Sequence, residues 1–163
     1  MEKRWLLVVD NYEGIRKNAV NMLSGFLSGL ISYVLPVKHV CDITEKEISE
    51  NNIIAVGECK THSVLSAYEK KGLLCVPDKA EGYAIFVGKK PNAEGGQTIA
   101  IAGADDNGVL YACMQFISEY CGDVLYRNGY LWDEKFFDAP LEKELNEWQV
   151  SGSPAVKTRA IWT

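Results

Sequence analysis

A short loop bounded by glycines, GADDNG at 103–108, is the first place in this chain where residue types and spacing could do chemistry. It separates an apolar segment from a helical pattern, and a glycine loop at a helix N-terminus can bind phosphate through backbone N–H groups. A phosphate-binding loop of the common type continues with Lys and then Ser or Thr, which are missing here, and Asp105 and Asp106 would repel an anion. The loop is therefore predicted to cap the helix, with carboxylate oxygens accepting hydrogen bonds from its free N–H groups.

Asp10 ends the apolar segment 5–9, in a setting that resembles the acidic corner of response-regulator receiver domains. Such a domain would also need a phosphoacceptor Asp at the end of another strand and a Lys further along the chain. The segments in question end in Gly57 and Glu58 and in Gly103 instead. The sequence therefore does not favour a phosphotransfer site.

Metal ligands and nucleophiles are few and scattered. His39 and His62 are the two histidines, they lie in different predicted elements, and no HExxH motif is present, so no metal or other cofactor is predicted. The five cysteines lack CxxC spacing and lie mostly in apolar surroundings, which indicates buried free thiols in a reducing compartment. No motif joins a cysteine to a histidine, and a small enzyme with a cysteine nucleophile is kept as an alternative.

Carbohydrate chemistry would need paired carboxylates or flat apolar side chains. Two acids at a defined separation hydrolyse glycosides, but Glu45, Glu47 and Glu50 lie on a polar connection and no pair stands out. Five aromatic residues near the C-terminus could stack on sugar rings: Tyr126, Tyr130, Trp132, Phe136 and Phe137. Packing against the sheet or a neighbouring domain is the commoner role of such a cluster. A carbohydrate-binding or protein-interaction module that uses the aromatics of 126–137 is therefore the alternative function.

The segment 98–122 organises the elements that position these residues. TIAIA at 98–102 is apolar on both faces, which is typical of a strand buried inside a sheet. After the acidic turn, apolar residues recur at helical spacing from about Gly108, and Gly122 occupies the place of a left-handed C-cap. The apolar stripe consists of Val109, Ala112, Cys113, Phe116, Ile117 and Tyr120.

The remaining elements follow from the same patterns. Strands are predicted at 5–9, 33–40, 52–56 and 81–87, and Pro36 places the second of them at an edge or at a bulge. Helices are predicted from 11 or 12 to about 31 and over 61–71, with the polar connection 42–52 on a solvated face. The loop between 87 and 98 predicts an antiparallel hairpin. The predicted fold class is α+β, a mixed, mainly antiparallel sheet with helices packed chiefly on one face.

Three details belong to the first predicted helix. Asp10 and Glu13 have the spacing of a capping box. Its apolar stripe is expected to include Ile15 and Met22, and the glycines Gly25 and Gly29 are expected to allow a close approach of the helix to the sheet.

Composition narrows the function classes. The chain has 163 residues, 47% of them hydrophobic, and a net charge of −5; this predicts one globular domain, and the scattered basic residues argue against nucleic acid as a partner. Residues 19–37 carry no charge, but polar residues and a proline interrupt them, so a core helix is favoured over a membrane span. The apolar run 5–9 is too short for a signal peptide, and together with the cysteines this predicts a cytoplasmic protein.

Several segments together resemble a known family: NNIIAVGECKTHSVL at 51–65, EGYAIFV at 81–87, the whole of 98–122, and GYLW at 129–132. They look like the N-terminal, non-catalytic domain of bacterial alpha-glucuronidases and of family-20 beta-N-acetylhexosaminidases. The most specific element is GVLYA, which opens a helix directly after an apolar strand and a turn of Gly, Ala and Asp.

The resemblance implies an α+β accessory domain at 1–150, then a linker and the start of a (β/α)8 catalytic barrel at 151–163. It implies that this chain holds no catalytic residue, and that its longer parent is a glycoside hydrolase. Arg159 matches the position of a sugar-binding Arg in an Arg-Gly pair of the hexosaminidases, although Ala160 replaces the glycine. The implied partners are the chain's own C-terminal catalytic domain and an oligo- or polysaccharide.

Overall fold

The computed structural model describes residues 3–91, 95–122, 141 and 144–154. Within them, six strands form one sheet and four α-helices cover it. The strands are β1 Trp5–Val9, β2 Val37–His39, β3 Asn52–Gly57, β4 Tyr83–Lys89, β5 Gln97–Gly103 and β6 Trp148–Gly152. The helices are α1 Gly14–Ser28, α2 Glu45–Glu50, α3 Ser63–Lys70 and α4 Asp106–Gln115, and a 3₁₀ turn spans Val40–Asp42.

The strand order is β2-β1-β3-β5-β4-β6, and the predicted mixed sheet of an α+β domain is confirmed. The predicted hairpin is confirmed too, since β4 and β5 pair antiparallel with Ile85 opposite Ile101. The predominance of antiparallel pairing needs correction: among the described strands three pairings are parallel and two are antiparallel. Helical connections carry the chain back across the sheet after β1 and β2, which produces parallel strands. After β3 the chain passes through α3 into β4, and the hairpin from β4 to β5 then makes β5 parallel to β3.

Helices lie on both faces of the sheet, with the two longer ones together. α1 and α4 pack on the face formed by alternate residues such as Leu7, Ile54 and Ile99. The shorter α3 packs on the opposite face, against residues such as Val8 and Ala100, with α2 beside it. This alternation follows from the period of two along each strand.

The start of α1 differs from the prediction. The helix begins at Gly14, and Glu13 occupies the N-cap position without a side-chain hydrogen bond, so the predicted capping box of Asp10 and Glu13 is wrong. The Asp10 carboxylate accepts hydrogen bonds from Glu58 and Thr61 instead. A long-range partner has replaced the local one.

Other local differences have equally local causes. The polar connection contains the helix α2, closed by a capping box between Thr44 and Glu47, and it lies on a solvated face as predicted. β2 is shorter than predicted but lies at the edge, directly after Pro36. Regular α4 ends at Gln115, and wider π-helical turns continue to 122. Gly122 therefore does not have the positive φ of a left-handed cap.

The glycines of α1 face away from the sheet. Gly25 and Gly29 are exposed, as are Ile15 and Met22, so the expected close approach to the sheet is wrong. The buried stripe of α1 is rotated toward Ala19, and its other members are Arg16, Val20, Leu23 and Leu27. In the described part of the chain, every helix falls short of the length and apolar character needed to cross a bilayer.

Candidate functional site

The carboxyl ends of β1, β3 and β5 meet at one edge of the sheet, because these three strands run parallel. After β1 the chain continues through α1 on one face, and after β3 it continues through α3 on the other. A crevice between such diverging connections is where open α/β sheets usually bind ligands. This edge is therefore the first place to look for a site.

Four charged side chains fill that crevice, and we call them the Arg16 cluster: Asp10, Arg16, Glu58 and Asp106. The Nη1 of Arg16 lies 3.0 Å from Asp10 Oδ1, and its Nη2 contacts Glu58 Oε1. Its Nε lies 2.7 Å from Asp106 Oδ1 without a hydrogen bond from that N–H. One guanidinium thus joins the ends of β1 and β3 to the first turn of α4.

Asp10 has no free oxygen for other chemistry. Its Oδ2 accepts from the Glu58 backbone N–H at 2.9 Å and from the Thr61 hydroxyl at 2.6 Å, while Oδ1 faces Arg16. Gly57 permits this approach, because a Cβ there would lie 2.3 Å from the Asp10 carboxylate and the φ of Gly57 is +155°. The carboxylate is therefore held from three sides.

The electrostatics of the Arg16 cluster favour ion pairing over catalysis. Burial opposes the charge of Arg16, but the negative charges of Asp10, Glu58 and Asp106 outweigh it and raise the pKa of the guanidinium. Lys60 also approaches Glu58, at 3.2 Å. Because the carboxylates are engaged with Arg16, with Lys60 and with hydrogen-bond donors of the chain, the cluster provides a structural link and not an acid and base pair.

Both histidines bind backbone carbonyl groups beside the cluster. His62 Nε2 donates to the Val8 carbonyl at 3.0 Å, while its buried Nδ1 has no partner, and burial lowers the pKa of this imidazole. His39 Nδ1 accepts from the Cys41 N–H at 3.1 Å, so its Nε2 donates to the Asp10 carbonyl at 2.8 Å. A search of the described residues for three or more convergent metal ligands finds no such group.

The loop 103–108 is a helix cap, as predicted. Asp105 is the N-cap residue of α4, and its Oδ1 accepts from the Gly108 N–H at 2.7 Å while its Oδ2 accepts from the Glu81 N–H at 2.9 Å. Gly103 lies against the helix, where a Cβ would come within 2.2 Å of the Val109 nitrogen. Both carboxylate oxygens of Asp105 are therefore used to bind backbone N–H groups of this chain.

The cysteines are all free, but burial is less general than predicted. Cys113 and Cys121 are buried, Cys59 is half-buried, and Cys41 and Cys75 are exposed. Burial raises the pKa of Cys113 to about 12, and burial together with Glu69 raises that of Cys59 to about 12. Cys41 lies in the 3₁₀ turn after β2, and Cys75 lies between Leu74 and Val76 in the irregular segment after α3.

Beyond the first turns of α1 and α4, which carry the exposed Lys17 and Asp106, the outer surface of this helix layer has no charged residue. Residues 18–37 and 107–118 contain no Asp, Glu, Lys or Arg, and we call their solvent-facing part the α1–α4 surface. In the described part of the chain, the exposed large hydrophobic side chains all belong to this surface or to its border. They are Tyr12, Ile15, Met22, Val34, Val37 and Met114, with Val34 91% exposed. Sequence reasoning noted the uncharged stretch but assigned it to the core.

A cleft of about 420 Å³ opens between α1 and β2, and we call it the α1–β2 cleft. Its walls combine apolar and uncharged polar groups with the two polar residues of β2. The lining residues are Val9, Tyr12, Val20, Asn21, Ser24, Val37, Lys38 and His39. The sequence carried no signal for it, because its two walls are distant in the chain.

Two groups of predicted residues lie outside the described residues. They are Arg159, from the resemblance to hexosaminidases, and the aromatic residues of 126–137. Both assignments stay predictions.

Comparison with known proteins identifies no family. No family model matches the chain, and no curated protein matches it either. Among solved structures, one similar chain is described as a "GH138 enzyme targeting pectin rhamnogalacturonan II", with 19% sequence identity and a TM-score of 0.43. The match covers 74% of this chain and 14% of that chain, so this sequence spans a small part of that protein's length.

Proposed function

We propose that this chain is a non-catalytic accessory domain of a multidomain glycoside hydrolase, and that it packs against and supports a (β/α)8 catalytic barrel. The resemblance of 51–65, 81–87 and 98–122 to the accessory domains of such enzymes supports the class of the parent protein. The observation that carries the docking role is the uncharged, apolar α1–α4 surface.

That surface is unusual for a helix layer in contact with water. Charged residues make up 24% of the chain, yet 18–37 and 107–118 have none. The helices of the opposite face do carry them, for example Lys46 and Glu50 in α2 and Lys70 in α3. Depletion of charge together with exposed large apolar side chains is the signature of a surface that another protein surface covers.

The spacing along α1 suits a helix as the contacting element. Ile15, Asn18, Met22, Gly25 and Gly29 are all exposed and follow one another at intervals of three and four residues. A glycine inside a helix destabilises it by about 0.5–1 kcal/mol relative to alanine. A Cβ at Gly25 would meet no atom within 4 Å, so this domain's own packing does not require the glycine. A neighbouring helix that crosses closely at Gly25 would require it, and a (β/α)8 barrel has an outer ring of helices.

The position at which β6 ends supports the proposal that a following domain covers the α1–α4 surface. Gly152, at the end of β6, lies level with Gly103 at the end of β5, because both pair with Tyr83. The chain therefore leaves the sheet at the edge where α1 and α4 begin. A domain joined there starts beside the N-terminal ends of the two helices that form the α1–α4 surface.

The Arg16 cluster then has a mechanical role. By joining the end of β1, the first turns of α1 and α4, and the loop after β3, it fixes the two helices relative to each other. A docking surface with a fixed shape binds without first paying the entropy of ordering it. In this proposal the hydrolytic chemistry belongs entirely to the barrel.

The test compares residues 1–163 with the protein made from the complete gene. We expect glycosidase activity from the complete protein alone, and slower amide hydrogen exchange across the exposed side of α1 when the barrel is present. Met22→Glu should weaken the docking and lower the thermal stability of the complete protein, since it buries an unpaired charge. Ala67→Glu, which places the same charge on exposed α3, is the matched control.

Several outcomes would overturn the proposal. One is a complete gene without a barrel-sized domain, and another is turnover of a glycoside by residues 1–163 alone. A third is equal effects of Met22→Glu and Ala67→Glu on the complete protein, since this would place the barrel elsewhere.

A further inference from the structure

The α1–β2 cleft lies at the carboxyl ends of β1 and β2, beside the Arg16 cluster but separate from it. Its volume of about 420 Å³ is within the range of small-molecule sites in proteins. We infer that this cleft binds a neutral sugar ring, with Tyr12 and the valines against the ring and Asn21 and Ser24 donating to its hydroxyl groups. The inference goes beyond the docking role and does not depend on it.

None of the residues that line the cleft presents an unpaired charge to a ligand. Lys38 forms an ion pair with Glu47, and a hydrogen bond from Lys38 and one from the Thr44 backbone lower the pKa of that carboxyl to about 2. Both ring nitrogens of His39 have backbone partners, since Nδ1 accepts from the Cys41 N–H and Nε2 donates to the Asp10 carbonyl. The cation and the imidazole that line the cleft are therefore already engaged with this chain's own groups, which favours a neutral ligand.

The hydrogen-bonding groups that do remain lie on the α1 wall. The Tyr12 hydroxyl donates to Asn21 Oδ1, and this contact turns the Asn21 amide so that its Nδ2 donors are left for other partners. Within the described residues the Ser24 hydroxyl has no hydrogen-bond partner, and it lies one helical turn from Asn21. Two uncharged polar groups thus point to a ligand that has several hydroxyl groups.

The rest of the lining is apolar and flat enough for a ring. Val9, Val20 and Val37 contribute methyl groups, and Tyr12 is 45% exposed, with the Lys17 ammonium 5.6 Å from its ring centroid. A pyranose ring has an apolar C–H face and a rim of hydroxyl groups, which matches an aromatic and aliphatic wall opposite an amide and a hydroxyl. A purely apolar ligand would leave the Asn21 and Ser24 donors unsatisfied.

The experiment is a titration of isotope-labelled residues 1–163 with methyl β-D-glucopyranoside and methyl β-D-xylopyranoside, followed by amide chemical shifts. We expect saturable shifts that map to the cleft, and weaker or no binding of D-glucuronate. Asn21→Ala and Ser24→Ala should each weaken binding about 2–10-fold, the value of one hydrogen bond. Tyr12→Ala should weaken it further through the lost ring contact.

Ser28→Ala is the matched control, because Ser28 is exposed on the same helix, donates to the Ser24 carbonyl and does not line the cleft. It should bind the glycosides like the unchanged chain. The inference is wrong if no saturable shift occurs with either glycoside, if the shifts map elsewhere, or if the Asn21→Ala, Ser24→Ala double variant binds normally while its spectrum shows a folded domain.

Discussion

Nη1 of Arg16 lies 3.0 Å from Oδ1 of Asp10, although the two side chains are only 8% and 1% exposed. Charges so far from water are costly unless each has partners, and here Glu58 and Asp106 complete the set around the guanidinium. The main consequence of the pair appears when Arg16 is removed, because the Asp10 carboxylate is then left buried without a cation.

Arg16→Met should lower the free energy of unfolding by about 3–5 kcal/mol, because the buried Asp10 would lose its cation and Glu58 would keep only Lys60. Urea denaturation of residues 1–163 measures the change. A triple variant that also carries Asp10→Asn and Glu58→Gln should recover part of the loss, since it removes the charges left behind. An Arg16→Met effect below about 1 kcal/mol would mean that the cluster does not hold the helices in place.

Asp105→Ala should cost about 1–2 kcal/mol, near the upper end for a helix cap. The side chain accepts from Gly108 of its own helix and from Glu81, whose φ of +60° is otherwise strained for a residue with a Cβ. Asn107→Ala is the control, since Asn107 is exposed on the same turn. Equal unfolding midpoints for the two variants would contradict the cap assignment.

Features that depend on neighbouring residues could be predicted from the sequence. Three such features act over a few residues and could therefore be recognised in the sequence. They are the apolar residues of β5, the loop that joins β5 to β4, and the side-chain oxygen of Asp105 at the start of α4. The pairing of the described strands was less accessible, because parallel neighbours depend on crossover connections and not on local composition.

The Arg16 cluster could not be predicted for a related reason. Asp10 and Glu13 have the spacing of a capping box, and nothing near them in the chain indicates that Glu58, 42 residues from Arg16, competes for the same charges. The orientation of α1 was missed because residues 18–37 are uncharged on every side, so hydrophobic periodicity does not separate the buried face from the exposed one.

Acid should destabilise the domain through His62. Burial lowers its folded-state pKa below the ordinary value of 6.5, so the unfolded chain binds the proton more readily. The free energy of unfolding therefore holds above pH 6.5 and falls as the pH decreases below it, by up to about 1.4 kcal/mol per pH unit. His62→Gln retains a donor for the Val8 carbonyl without titrating, and between about pH 6.5 and 5 its profile should be flatter than that of the unchanged chain. Parallel profiles would assign the acid sensitivity to other groups.

The thiols should react in two classes. Cys41 and Cys75 are exposed, whereas Cys113 and Cys121 are buried, and burial raises the pKa of Cys113 to about 12, which removes the reactive thiolate. Iodoacetamide on the native chain, followed by peptide mass spectrometry, should label the exposed pair quickly and the buried pair only after denaturation. Fast native labelling of Cys113 would show that the core opens on the time scale of the reaction.

Gly25→Ala should have opposite effects on the isolated domain and on its contact with the barrel. In residues 1–163 the added methyl group meets no atom within 4 Å, so the substitution should raise the free energy of unfolding by about 0.5–1 kcal/mol. In the complete protein the same methyl group would push away a helix that crosses at this point and should restore faster hydrogen exchange on α1. Gly103→Ala is the contrasting control, because its Cβ would lie 2.2 Å from the Val109 nitrogen and should destabilise the domain in either form. If Gly25→Ala stabilises the isolated domain and the complete protein equally, no neighbouring backbone approaches the helix there.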